Sequence, residues 1–180
     1  MLHLVRHGPP LVDRSVPAAQ WDLDPAGYDA VWALRESGRL PERATWFCSP
    51  EPKAIATAQL LTDRDVGVLD DLREHVRESP AWIEDFAGTV RRAFAQPDLA
   101  AADGWETITA CRARVLPAVE TILDVHRDED VVLVGHGTAW TLVVAALTGR
   151  PPDLDAWAAL RMPDLIVPRL ETTHGGGDDT

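Results

Sequence analysis

Two stretches of the chain share one grammar. Leu4-Val5-Arg6-His7-Gly8 and Val134-Gly135-His136-Gly137 each set a histidine just past an apolar run and beside glycine. Imidazole changes charge near neutral pH, so it serves as nucleophile, general acid or base, or anion ligand. In an open α/β sheet, ligands bind in the crevice outside the carboxyl ends of the strands. If the two apolar runs are neighbouring strands, both histidines face that crevice. Glycine there lets a ligand approach the backbone closely, and a helix opening at Thr138 offers amide donors to an anion. Arg6 adds a two-pronged donor suited to phosphate or carboxylate. A single histidine after a strand is often only a loop residue; two in the same grammar, one beside arginine, point to chemistry. Metal binding is the competing reading of paired histidines. It is not expected, because no H-E-x-x-H, C-x-x-C or third clustered ligand accompanies them.

The elements that must carry these residues are legible. Leu2–Val5, Ala44–Cys48, Val66–Leu69 and Val131–Val134 read as strands. Unbroken Val/Leu runs suit strands covered on both faces, as in a parallel sheet. Helices are expected from Pro25, capped by Asp24 and stopped at Gly38; from about Lys53 to Leu61; from Trp82 to Phe94; and from Thr138 to Leu147. Ile108, Cys111, Val115, Val119 and Ile122 form one face of a further long helix, which Pro117 should bend or loosen. Leu165–Leu170, with Pro168 unable to donate to a ladder, suits an edge strand. The alternation predicts a three-layer α/β/α sandwich with a mostly parallel central sheet. One domain is expected over residues 1–172, with 173–180 a flexible tail that has nothing to bury.

Composition bounds the partners. The 180 residues carry 17 Lys+Arg against 29 Asp+Glu, a net charge of −12. Such a field repels a phosphate backbone, so nucleic-acid binding is not expected, and polyanions must be met through a local pocket of opposite sign. Two cysteines, Cys48 and Cys111, are too few for a disulfide framework. With no leader-like N-terminus and no apolar run of membrane length, a cytoplasmic protein without membrane attachment is expected. Among the basic residues Lys53 is the single lysine.

Beyond these readings, Leu4-Val5-Arg6-His7-Gly8 resembles the signature of the histidine phosphatase superfamily, the phosphoglycerate mutase-like proteins. Further segments match in order. Ser49-Pro50-Glu51-Pro52-Lys53-Ala54-Ile55-Ala56-Thr57-Ala58 resembles the family's serine, basic residue, alanine and Thr-Ala segment. Leu72-Arg73-Glu74 resembles the leucine-x-glutamate bearing its proton donor. Trp105-Glu106 with Arg114-Val115, then Gly135-His136-Gly137, resemble the approach to the second histidine and that histidine itself. The similarity runs over about residues 1–170.

The resemblance implies a phosphoglycerate mutase-like fold and a metal-independent phosphatase, needing no cofactor, that acts on a small phosphorylated molecule. His7 would be the nucleophile, forming a phosphohistidine that water hydrolyses. Arg6, Lys53, His136 and Gly137 would hold the phosphoryl oxygens, whose charge calls for cations and amides. Glu74 would protonate the leaving oxygen and later deprotonate water, which requires it to be protonated when substrate binds. Glu78, one helical turn on, is the alternative acid. Small relatives that act on phosphohistidine lack this acid, so its presence favours phosphate esters. Lys53 stands where the family has arginine; it keeps the charge and loses the fork, unless it is simply a solvated helix residue. Pro9, Pro10 and Asp13 follow His7-Gly8 where relatives carry other residues, and Asp13 near a phosphate would repel it. Phosphoglycerate mutase-type transfer, a catalytically impaired phospho-ligand-binding module and a phosphatase of protein phosphohistidine are the rival functions. Trp32 and Trp140 are expected in the core, while Trp21 and Trp82 lie in segments that should overhang the crevice, where core packing is weighed against one of them lining a substrate pocket.

Overall fold

The apolar runs become the strands of one five-stranded sheet. The structure, a computed structural model, describes residues 1–169. Along the chain these are β1 (Leu2–Arg6), α1 (Tyr28–Glu36), β2 (Thr45–Cys48), α2 (Pro52–Leu61), β3 (Val66–Val68), α3 (Phe86–Ala95), α4 (Ile108–Val125), β4 (Val131–Gly135), α5 (Gly137–Thr148), α6 (Leu154–Ala159) and β5 (Asp164–Ile166). The expected tail, 173–180, and the end of the Leu165–Leu170 run lie outside the described residues. Strand order is β3-β2-β4-β1-β5. Only β5 runs antiparallel, against β1.

Side chains alternate across a strand, and the core divides accordingly. On one face Leu2, Leu4, Val131 and Leu133 pack with the predicted stripe of α4 (Ile108, Cys111, Val115, Val119, Ile122) and with Trp140 of α5. On the other, Val5, Val132 and Val134 pack with Val31 and Leu34 of α1 and Ala58 and Leu61 of α2. Helices thus cover both faces, the α/β/α arrangement the pattern predicts. β4 is wholly buried; each such Val or Leu removed from water is worth about 1.5–3 kcal/mol.

Pro117 lies inside α4, which runs unbroken over Ile108–Val125. Several local expectations need correction. The third helix starts at Phe86, four residues later than the apolar pattern suggests, where the Asp85 carboxylate accepts from Gly88 N at 2.9 Å. β3, like β5, is an edge strand, paired on one side only, and Val68 is half exposed. Trp32 is not core. Val31 and Leu34 form the buried face of α1, and Trp32 points away at 42% exposure, with the Arg35 guanidinium stacked on it at 5.2 Å. Trp140, by contrast, is fully buried.

Candidate active site

β1 and β4 are parallel neighbours in register, with Val5 beside Val134 and Arg6 beside Gly135. The next residue on each is a histidine. His7 N donates to Gly135 O at 2.9 Å, and the two imidazoles lie edge to face, 5.1 Å between centroids. The chain leaves β1 toward β2 on the α1/α2 side, and leaves β4 toward β5 on the α5 side. Such a divergence of connections opens a crevice at the strands' carboxyl ends. A cavity of about 250 Å³ occupies it, lined by both histidines together with Arg6, Lys53, Glu74 and Arg77.

The two imidazoles have different partners. His7 Nδ1 donates to Gly8 O at 2.6 Å, which presents the opposite nitrogen, Nε2, as a lone pair without a hydrogen bond. His136 caps α5; its Nε2 lies 2.7 Å from Ser49 Oγ and 3.4 Å from Glu51 Oε1. Both rings are held neutral far below the usual histidine range, at about 3. Burial is the main cause for each; for His7 the neighbouring His136 adds to it, and for His136 Glu74 opposes it while Lys53, Arg77 and Arg6 add to it.

Lys53 is buried at 4% exposure, which sets aside a solvated helix residue. Its Nζ donates to Glu51 Oε2 at 2.5 Å and to Ala18 O at 2.7 Å. Glu51 accepts in turn from Glu74 N at 2.9 Å. This buried carboxylate therefore ties the lysine, the second histidine and the Glu74 segment together.

Glu74, not Glu78, lines the cavity; Glu78 is exposed. The Glu74 carboxylate accepts from Thr138 N at 3.1 Å, Ala139 N at 3.0 Å and its neighbour His75 N at 2.9 Å. The anion site expected at the start of α5 is thus filled by the chain's own carboxylate. Burial alone would raise the Glu74 carboxyl, but Arg77, His136 and the amides of His75 and Thr138 outweigh it and hold it ionised, at about 2. In the free protein Glu74 is therefore an anion, and the proton needed for an acid role must enter with substrate.

The glycines act otherwise than expected. A Cβ on Gly8 would lie 2.7 Å from Leu23 Cδ1, and one on Gly135 2.5 Å from Trp140 Cζ2. Both permit close packing of the protein on itself, not approach of a ligand. Gly137 lies beside Arg6, whose Nη1 donates to Leu160 O at 2.6 Å while its buried Nε lacks a partner. Pro10 and Trp21 line the cavity; Trp82 does not, but it lines an adjoining one. Asp13 stays outside, exposed, binding Ser15 through its carboxylate at 2.8 and 2.6 Å.

Three contributors escaped the sequence reading. Glu51, two residues before Lys53, looks like an ordinary first-turn acid. Arg77 belongs to no periodic pattern; its guanidinium carbon lies 4.7 Å from the centroids of both Phe86 and Trp105. Arg114 matched a motif without a role. It donates to Asp71 O at 2.8 Å, Arg73 O at 3.1 Å and Glu74 O at 3.1 Å, and to Glu106 Oε1 at 2.6 Å. It thereby pins an irregular segment that would otherwise leave Glu74 loose. Among the described residues no group of three His, Cys, Asp or Glu side chains is placed to hold a metal ion.

Two histidines thus face each other at the carboxyl ends of parallel strands of an α/β sandwich, in a crevice that Arg6, Lys53 and Arg77 also line. The family model of the histidine phosphatase superfamily (branch 1) matches residues 2–178, and the chain belongs to that superfamily. A mycobacterial glucosyl-3-phosphoglycerate phosphatase in complex with VO3 is 26% identical, with a TM-score of 0.68 over 91% of this chain and 90% of that one. A putative α-ribazole-5'-P phosphatase from Escherichia coli is 19% identical, TM-score 0.68, covering 93% and 95%. Phosphoserine phosphatase from Entamoeba histolytica, with 3-phosphoglyceric acid, is 17% identical, TM-score 0.70, covering 91% and 87%. No curated protein matches the sequence.

Proposed function

We propose that the protein is a metal-independent phosphatase that hydrolyses a small phosphomonoester through a phosphohistidine on His7. The observation that carries this reading is the state of His7. With Nδ1 bonded to Gly8 O at 2.6 Å and the ring held neutral, Nε2 is free to attack phosphorus. The P–N bond forms as the bond to the leaving oxygen breaks. Arg6, Lys53 and Arg77 offset the charge on the three equatorial oxygens, and His136 shares in this once the incoming anion raises its pKa and it takes a proton from solvent. The Gly137 amide, first of α5, adds a donor. Glu74 moves the protons. A phosphate group nearby raises its pKa from the low free-protein value, so a proton carried in by the ester can reside there and pass to the leaving oxygen. Water then attacks phosphorus, gives a proton to Glu74, and the P–N bond breaks to regenerate neutral His7.

The family membership and the phosphatases among the structural relatives support this class, and the VO3 complex of the mycobacterial relative supports an oxyanion as ligand. A cytoplasmic setting accords with free thiols at Cys48 and Cys111, both buried, and no described helix is long and apolar enough to cross a membrane. The test is phosphate release from p-nitrophenyl phosphate in the presence of EDTA, with acid-labile, alkali-stable labelling of the protein by a phosphoryl donor. Both are expected for the wild type and neither for His7→Ala. Activity no greater than that of His7→Ala sinks the reading, and isomerisation of phosphoglycerate in the same samples would favour a mutase instead.

A further inference from the structure

Next to the phosphate crevice lies a second cavity of about 280 Å³, walled by Trp21, Trp82, Phe86 and Trp105. The two cavities share Ala18, Trp21, Arg77 and Phe86, so they are immediate neighbours. In a chain of net charge −12 this second space has no carboxylate in its lining; its one charged side chain is Arg77. Arg77 stands at the junction. Its guanidinium is framed by Phe86 and Trp105, its Nη2 reaches Thr138 Oγ1 only at 3.4 Å, and its buried Nε has no partner.

Trp105, 7% exposed, belongs to the core, whereas the other aromatic walls are held in place outside it. Trp21 Nε1 donates to Asp13 O at 2.6 Å, and the Arg14 guanidinium stacks 3.8 Å over Trp82. Trp82 is 47% exposed and Phe86 38%. Partly exposed aromatics enclosing empty space beside an anion site have the anatomy of a ligand pocket: mostly apolar, with a few placed polar groups.

We propose that this cavity is the leaving-group subsite, and that it selects phosphomonoesters whose organic part is a flat, uncharged aromatic group. The phosphate lies in the histidine crevice, the ring lies against Trp82 and Phe86, and Arg77 donates to oxygens at the join. Substrates with a cationic group are disfavoured by Arg77, and small polar ones leave the aromatic walls wet. This assignment rests on the phosphatase reading for its meaning but is tested without turnover.

The experiment measures, by calorimetry, dissociation constants for (2-naphthylmethyl)phosphonate and methylphosphonate, neither of which has a P–O–C bond to cleave. The naphthyl compound is expected to bind about thirtyfold or more tightly, from the apolar area it removes from water. Trp82→Ala should erase about tenfold of that ratio while leaving methylphosphonate unchanged, and Trp82→Phe should restore most of it. Trp82 is exposed, so its loss does not threaten the fold. Equal affinities in the wild type, or a ratio indifferent to Trp82→Ala, overturn the assignment. Failure of both compounds to bind overturns it together with the phosphate site. A preserved ratio in a protein that cleaves no monoester would leave the subsite standing and refute only the hydrolase reading.

Discussion

Glu51→Gln separates what the buried carboxylate does for the fold from what it costs the site. In the wild type Glu51 and Lys53 are 6% and 4% exposed, and the carboxylate also accepts from Glu74 N at 2.9 Å. Glutamine keeps an acceptor for that amide but sets a neutral group against the lysine. Removing one partner of a buried pair costs about 3–5 kcal/mol, because the other charge is left uncompensated. For a chain of this size that is a fall of about 6–20 °C in melting temperature. The same change should tighten phosphate binding. A carboxylate about 5 Å from a bound phosphate repels it by up to about 3 kcal/mol per unit charge at an effective dielectric of about 20; even half of that is about tenfold in affinity. Thermal unfolding with and without phosphate, plus calorimetric titration of phosphate, reads both effects. Phosphate should rescue the variant by more degrees than it raises the wild type. An unchanged melting temperature, or weaker phosphate binding, would refute the network as described.

The remaining expectations concern the histidines, Glu74 and Arg114. His7 and His136 have folded pKa values of about 3, below an unfolded value near 6.5, so the stability they contribute is full above pH 6.5 and is lost as pH falls toward 3. The loss is about 2–3 kcal/mol per pH unit for the pair between pH 6 and 4.5, with Glu74 adding the same sign below about 4.5; urea midpoints at pH 7 and pH 5 should move accordingly, and a pH-independent midpoint would contradict the burial of neutral rings. Glu74→Gln should slow alcohol release from alkyl phosphates in a single turnover about 10²–10⁴-fold yet slow release of p-nitrophenol, a leaving group that needs no proton, less than about tenfold. Equal losses on both would make Glu74 a helix cap only. Arg114→Met should lower kcat about tenfold or more through misplacement of Glu74 while KM changes little, a split measurable on any active ester.

Much of this arrangement could be read from residue types because its strongest signals are local. Val131–Val134 has no polar residue, so a strand covered on both faces follows; histidines one step past two such strands then share a crevice once the strands pair. The stripe on α4 is equally local, and it survived Pro117. The misses concern what surrounds an element. Trp32 differs from Val31 by one helical position, and only the sheet decides which of the two faces inward. A lone proton-donor assignment for Glu74 overlooked that three amides would claim its carboxylate. Glu51, Arg77 and Arg114 act across gaps of 23 to 61 residues, and no spacing rule reports such distances.

Trp140 fills the space that a side chain on Gly135 would occupy, and its indole N–H reaches Val5 O at 2.8 Å, across from β4 to β1. The two strands that end in His7 and His136 are thus clamped by one ring at the centre of the molecule. Their amides should exchange with solvent only when the whole chain opens. The histidine pair then has no softening of its own: on heating, inactivation and global melting would trace a single curve.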